Sequence, residues 1–189
     1  MVRLPFRRGR GGEVVMAFDA AEIGVLRQLL GELITLLGPE QEGAVDPLAR
    51  ELGLAELEGF TVGTEPVRAP DDPALARLFP DAYPGDTESS SDFRRFTQPG
   101  LASRKRQDAQ AARASLDAGP GRRPVDDALL HSWLRTLTDL RLALGARLEV
   151  DEEFDRTYQA TPDTDPRKPT MAVYAWLGWV QETLVRALS

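Results

Sequence analysis

Apolar residues recur at helical spacing along three stretches of this chain, and each stretch is bounded by residues that start or stop helices. Ile23, Leu26, Leu30, Leu33, Ile34 and Leu37 fall on one helical face. Asp19-Ala20-Ala21-Glu22 precedes them as a capping box, and Gly38-Pro39 ends the run. A second stripe follows Asp126 or Asp127, with Leu130, Trp133, Leu134, Leu137, Leu140, Leu144 and Leu148. A third runs from Thr170 to about Leu188 through Val173, Trp176, Leu177, Val180 and Leu184. Thr97, with Pro99 in the first turn, predicts a further helix to about Leu116, stopped by Gly119-Pro120-Gly121. Asp46-Pro47 and Asp72-Pro73 each open a short helix, through about Leu52 and Phe79 respectively.

Two stretches read as extended. Val2 to Phe6 and Glu13 to Phe18 are rich in Val and Phe, and the glycines of Arg7-Arg8-Gly9-Arg10-Gly11-Gly12 suit a reversing loop between them. Residues 59–92 carry Pro66, Pro70, Pro73, Pro80 and Pro84 and end in a polar, serine-rich stretch from Gly85 to Asp92, expected to be a mobile loop. A connector is expected at residues 159–170, which hold three prolines. The pattern predicts a mainly α fold: a single-domain helical bundle over residues 1–189 with a small N-terminal β-hairpin in residues 1–18.

Composition narrows the chemistry. The chain has 189 residues, 42% hydrophobic and 28% charged, the make-up of a globular domain rather than a disordered tail. It has no cysteine, which removes disulfides, zinc ribbons, thiol nucleophiles and thiol redox switches. One histidine excludes any metal site built on two, and His131 falls on the polar side of its helix beside Arg135 and Thr138, where an exposed, inactive ring is expected. Glu152-Glu153 and Asp71-Asp72 follow no ordered ligand pattern and read as solvated acids. No phosphate-cradling glycine loop occurs. No enzyme, cofactor or metal is predicted. The N-terminus is basic, but Val14 to Phe18 is too short for a secretory core, and no run spans a bilayer; a cytoplasmic protein is expected.

The charge distribution carries more than its total. Residues 1–12 hold four arginines and no acid; residues 92–123 hold eight cations against three acids; on a chain of net charge −7 this leaves −16 elsewhere. Arg94, Arg95, Arg104, Lys105 and Arg106 are therefore candidate partner contacts, for an acidic protein surface or a phosphate backbone. The competing reading is a solvated face whose arginines pair with local acids. Direct DNA reading is disfavoured, since Arg104-Lys105-Arg106 sits in no helix-turn-helix frame and the basic segments would have to converge. The last helix is apolar on most sides, with Trp179 nearly opposite Leu177; it is either central in its bundle or docks a partner, including a second copy. Phe79, Tyr83 and Phe93 are expected to anchor the proline-rich loop.

Leu78-Phe79-Pro80-Asp81-Ala82-Tyr83, Asp86, Phe93-Arg94-Arg95 and Thr97 resemble the central signature of an uncharacterised-domain family of actinobacteria. Trp133, Leu137, Asp139 to Gly145, Arg147-Leu148, Tyr174, Trp176-Leu177 and Gln181-Glu182 extend the likeness, which runs from about Glu13 to the C-terminus. The family includes the oxidative-stress regulator AosR, and its genes typically neighbour the Clp adaptor ClpS and a sulfur-carrier route to cysteine. The resemblance implies a transcription regulator that works with RNA polymerase and an alternative sigma factor under stress. It leaves open an interaction module linked to ClpS-dependent proteolysis. In that regulator the signal is a disulfide between two closely spaced cysteines, a step that no position of this chain can carry.

Overall fold

Trp133 is where the fold's helical and β parts meet. The computed structural model describes residues 4–9, 11–39 and 69–189. Its strands are β1 (Phe6–Arg8), β2 (Val14–Phe18) and β3 (Gly121–Val125), an antiparallel sheet in the order β1-β2-β3 with Phe6 opposite Met16 and Met16 opposite Arg123. Alternation along β2 points Val14, Met16 and Phe18 inward together with Phe6 and Val125. There Phe6 meets the Trp133 ring edge-on, with centroids 5.8 Å apart, and Phe18 meets it tilted at 5.7 Å. The indole Nε1 donates to Ser115 Oγ at 3.1 Å, so this fully buried Trp keeps its hydrogen bond.

The helices are α1 (Ala20–Leu36), α2 (Pro73–Leu78), α3 (Thr87–Ser115), α4 (Asp127–Arg147), α5 (Phe154–Ala160) and α6 (Lys168–Leu188). Helix α4 is central: α2, α3 and α6 pack on it, while α1 lies against α3 and only grazes α4. The predicted stripes form the core, with Leu26, Leu30, Leu130, Leu137, Leu177, Val180 and Leu184 essentially without solvent contact. Fully burying one such side chain is worth about 1.5–3 kcal/mol. The caps fall where expected: Asp19 and Glu22 form the capping box of α1, Asp72 accepts from Ala74 and Leu75, and Asp126 caps α4.

Several expectations need correction. The first strand is Phe6–Arg8 rather than a run that ends at Phe6; Val2 and Arg3 lie outside the described residues. Gly121-Arg122-Arg123-Pro124-Val125 pairs as an edge strand, where proline is tolerated because one ladder face is open. The serine-rich stretch is the first turn of α3 from Thr87 on: Asp86 caps it at Ser89, and buried Ser90 bonds the Tyr83 backbone both ways. Thr97 caps nothing; its hydroxyl bonds back to the Phe93 carbonyl, and α3 continues through Pro99. The expected connector begins inside α5, overlapping only Gln159 and Ala160, and α6 starts at Lys168, with proline in its first turn. The helix predicted at Asp46 to Leu52, and the loop up to Arg68, lie outside the described residues.

Candidate functional site

The basic segments are arranged around helix ends. The last carbonyls of a helix have no intrahelical donor and carry the negative end of its dipole, so a cation there satisfies both needs. Arg8 donates to the Ala187 and Leu188 carbonyls that end α6. Arg106, only 5% exposed, donates to Leu37, Gly38 and Pro39 just past α1 at 2.7–3.2 Å. Arg123 reaches Ser115 and Gly119 at the end of α3, where Arg27 also bonds the Leu116 carbonyl and Asp117. Lys168 serves the end of α5 through Tyr158 and Thr161. Each contact joins residues distant in sequence or closes a connection, so these cations staple elements to one another.

A second use of charge lies between α3 and α4. Lys105 donates to Asp139 at 2.6 Å, and Arg135 holds Asp108 in a two-pronged pair at 2.6 and 2.7 Å. Burial alone would raise the Asp108 pKa; hydrogen bonds from Arg135 and Ser132, with the Arg135 and Arg104 charges, bring it below its ordinary 3.8. At Asp139 burial wins and the pKa is raised, against the pull of the Lys105 hydrogen bond and charge. Beside this network the Thr136 hydroxyl is fully buried and has no partner.

The six candidate contacts therefore separate. Arg94 is buried and paired with Asp81; Lys105 and Arg106 are committed to Asp139 and to α1. Arg95 lies over the Phe96 ring at 4.6 Å, 4.0 Å from Asp92. Arg104 is exposed. Trp176 and Trp179 are both half-buried against the core, with Val185 exposed further along α6. His131 is exposed, its Nδ1 2.7 Å from the Asp127 carbonyl of its own helix. Within the basic segment Arg94, Arg95 and Lys105 have acids within 4.0 Å, at Asp81, Asp92 and Asp139, while Arg106 and Arg123 bond backbone carbonyls.

What the sequence reading missed is an apolar strip on the same helix. Phe79 is buried as expected, but Tyr83 and Phe93 are not anchors: they are 50% and 44% exposed and pack edge-on against each other at 6.0 Å. Thr97, Leu101 and Arg104 follow Phe93 on one side of α3, within about 80° of helical turn. Leu101 is likewise exposed. Tyr and Arg, two of the residue types in this strip, are enriched at protein-contact hot spots. The i, i+8, i+11 spacing of Phe93, Leu101 and Arg104 was the available signal.

Among the described residues no three His, Asp or Glu side chains are placed to hold a metal ion. A cleft of about 660 Å³ between α1 and α4 has Leu29, Leu33, Leu36, Leu140 and Leu144 on its walls and Arg27, Glu32 and Arg147 as its charged groups, without a nucleophile–base pair.

Comparison with known proteins then places the chain. The family described as a domain of unknown function, DUF2017, matches residues 3–188. The chain belongs to this family. It is 31% identical over 180 residues to the putative oxidative stress regulator AosR of Mycobacterium leprae, covering 88% of this chain and 78% of that protein. The oxidative stress regulators AosR of Mycobacterium bovis and Mycobacterium tuberculosis are 30% identical over the same shares. These relatives are named as regulators and not as enzymes. No solved structure matches the chain. Among the described residues no helix is long and apolar enough to cross a membrane.

Proposed function

We propose that this protein is a non-enzymatic stress-response regulator that acts on transcription through protein contacts, with RNA polymerase and its sigma factor as the partner. The reading is carried by relatives named as oxidative stress regulators that align over most of the chain. The exposed strip of Tyr83, Phe93 and Leu101 supports contact by protein rather than by nucleic acid, because its side chains are aromatic or apolar, while Arg94, Lys105 and Arg106 are spent on Asp81, Asp139 and the end of α1. A thiol switch is absent from the mechanism, since the sequence has no cysteine.

Co-purification of the tagged protein from its own cells, read by mass spectrometry, tests this. Polymerase subunits or a sigma factor should be retained by the wild type and lost from a Phe93→Ala, Leu101→Ser double variant. Retention of ClpS or a Clp ATPase without polymerase would replace the reading with one in proteolysis.

A further inference from the structure

A second cleft, of about 370 Å³, opens between α2, the end of α4 and α6, away from the α3 strip. Its walls include Arg77, Arg141, Gly145, Glu149, Val150 and Tyr174. Arg141 is held from three sides. Its Nη1 donates to Gln181 Oε1 at 2.7 Å, its Cζ lies 5.4 Å from the Tyr174 ring centre, and on the third side is Gly178, where an added Cβ would stand 3.7 Å from Cζ. Gln181 is itself fixed by its Nε2 donating to Thr138 Oγ1 at 2.7 Å.

The opposite edge of that guanidinium is unused. Arg141 Nε is buried without a hydrogen-bond partner, and among the described residues Nη2 makes no hydrogen bond either. Nη2 is therefore a charged donor left for an oxyanion, and hydrogen bonds between ionised partners are the strong ones. Arg77 stands on the α2 side of the cleft, exposed and without an acidic partner among the described residues. The Tyr174 hydroxyl likewise has no hydrogen bond there. One acid faces the cleft, Glu149, and its charge is shared with Arg167, whose pKa is raised first by Asp165 and also by Glu149. The absence of a side chain at Gly145 keeps the floor open: a Cβ there would stand 3.4 Å from the Tyr174 ring.

We infer that this cleft binds a small organic oxyanion, a carboxylate or a phosphate ester, with its head on Arg141 Nη2 and Arg77, and its body against Tyr174 and Val150. The volume is at the lower end of small-molecule sites and suits a metabolite rather than a peptide. The site stands independently of the partner of α3. Within the regulator reading it supplies an input that needs no thiol.

Titration of the full chain with inorganic phosphate and, separately, with succinate, at constant ionic strength, tests the inference. Calorimetry gives the affinity, and the Nε–Hε NMR resonance of Arg141 reports where the anion sits. Saturable binding of at least one anion is expected, with a shift of that resonance and an affinity about tenfold weaker or worse in Arg77→Gln, a solvent-exposed change that spares the fold. Arg141→Lys should weaken binding too, because a lysine keeps the charge but not the planar guanidinium that Gln181 and Tyr174 hold in place. Phosphate alone saturating assigns a phosphorylated ligand, succinate alone a carboxylate, and both the shared head. Absence of saturation by either anion, or an unchanged affinity in Arg77→Gln, overturns the site.

Discussion

The two halves of α3 turn different residues outward. Toward the C-terminus, Lys105, Arg106 and Asp108 face the protein and are engaged by Asp139, the end of α1 and Arg135. Toward the N-terminus the helix turns Phe93 and Leu101 outward, and Tyr83 joins them from the preceding loop. Counting arginines along the chain marks both halves as candidate contacts; in the structure Arg94, Lys105 and Arg106 are engaged within the fold, and Phe93 and Leu101 are exposed. Whether a cation is available depends on which carbonyls and carboxylates the fold brings to it.

The largest stability effect should come from the committed half. Arg106→Met removes three charge-assisted bonds and leaves the end of α1 unmet, so we expect a loss of about 2–4 kcal/mol in denaturant unfolding. Asp108→Asn should cost about 1–2 kcal/mol at neutral pH, a figure discounted because Arg135 is partly solvated. Its folded pKa lies below the ordinary value, so this stabilisation is present above that value and is lost as pH falls through the folded pKa. The gap between Asp108→Asn and wild type should therefore close in acid. Asp139 runs the other way: its raised pKa means the folded chain loses stability as pH climbs through the window above 3.8. An Asp139→Asn chain should lack that decline in a pH series of melting temperatures.

How legible this was from sequence follows the range of the signals involved. Asp19, Asp72 and Asp126 were readable as caps because a cap and its helix are adjacent in the chain. The apolar stripes were readable because burial imposes a period. Strand β3 was not, since Arg122 and Pro124 carry no strand pattern and only pairing with β2 makes them one. The start of α3 was misread because serines favour loops until a particular one, Ser90, is buried against the Tyr83 backbone. The roles of Arg8, Arg106 and Arg123 as caps were invisible, since each depends on a helix end supplied by the tertiary fold.

Smaller effects sharpen the same contrast. Thr136→Val, which replaces a buried hydroxyl lacking a partner, should raise stability by about 1 kcal/mol. On the open half, Phe93→Ala and Leu101→Ser should each change stability by less than about 1 kcal/mol, because the side chains are nearly half exposed. Large destabilisation from either would show that the strip is part of the core after all.

The most direct test of the account is binding of the purified chain to purified RNA polymerase carrying its sigma factor, wild type against the Phe93→Ala, Leu101→Ser double variant, with melting temperatures measured alongside. The account predicts binding by the wild type, a loss of at least about tenfold in the variant, and melting temperatures within a few degrees of each other. Equal binding by both chains, or no binding by a fully folded wild type, would contradict it.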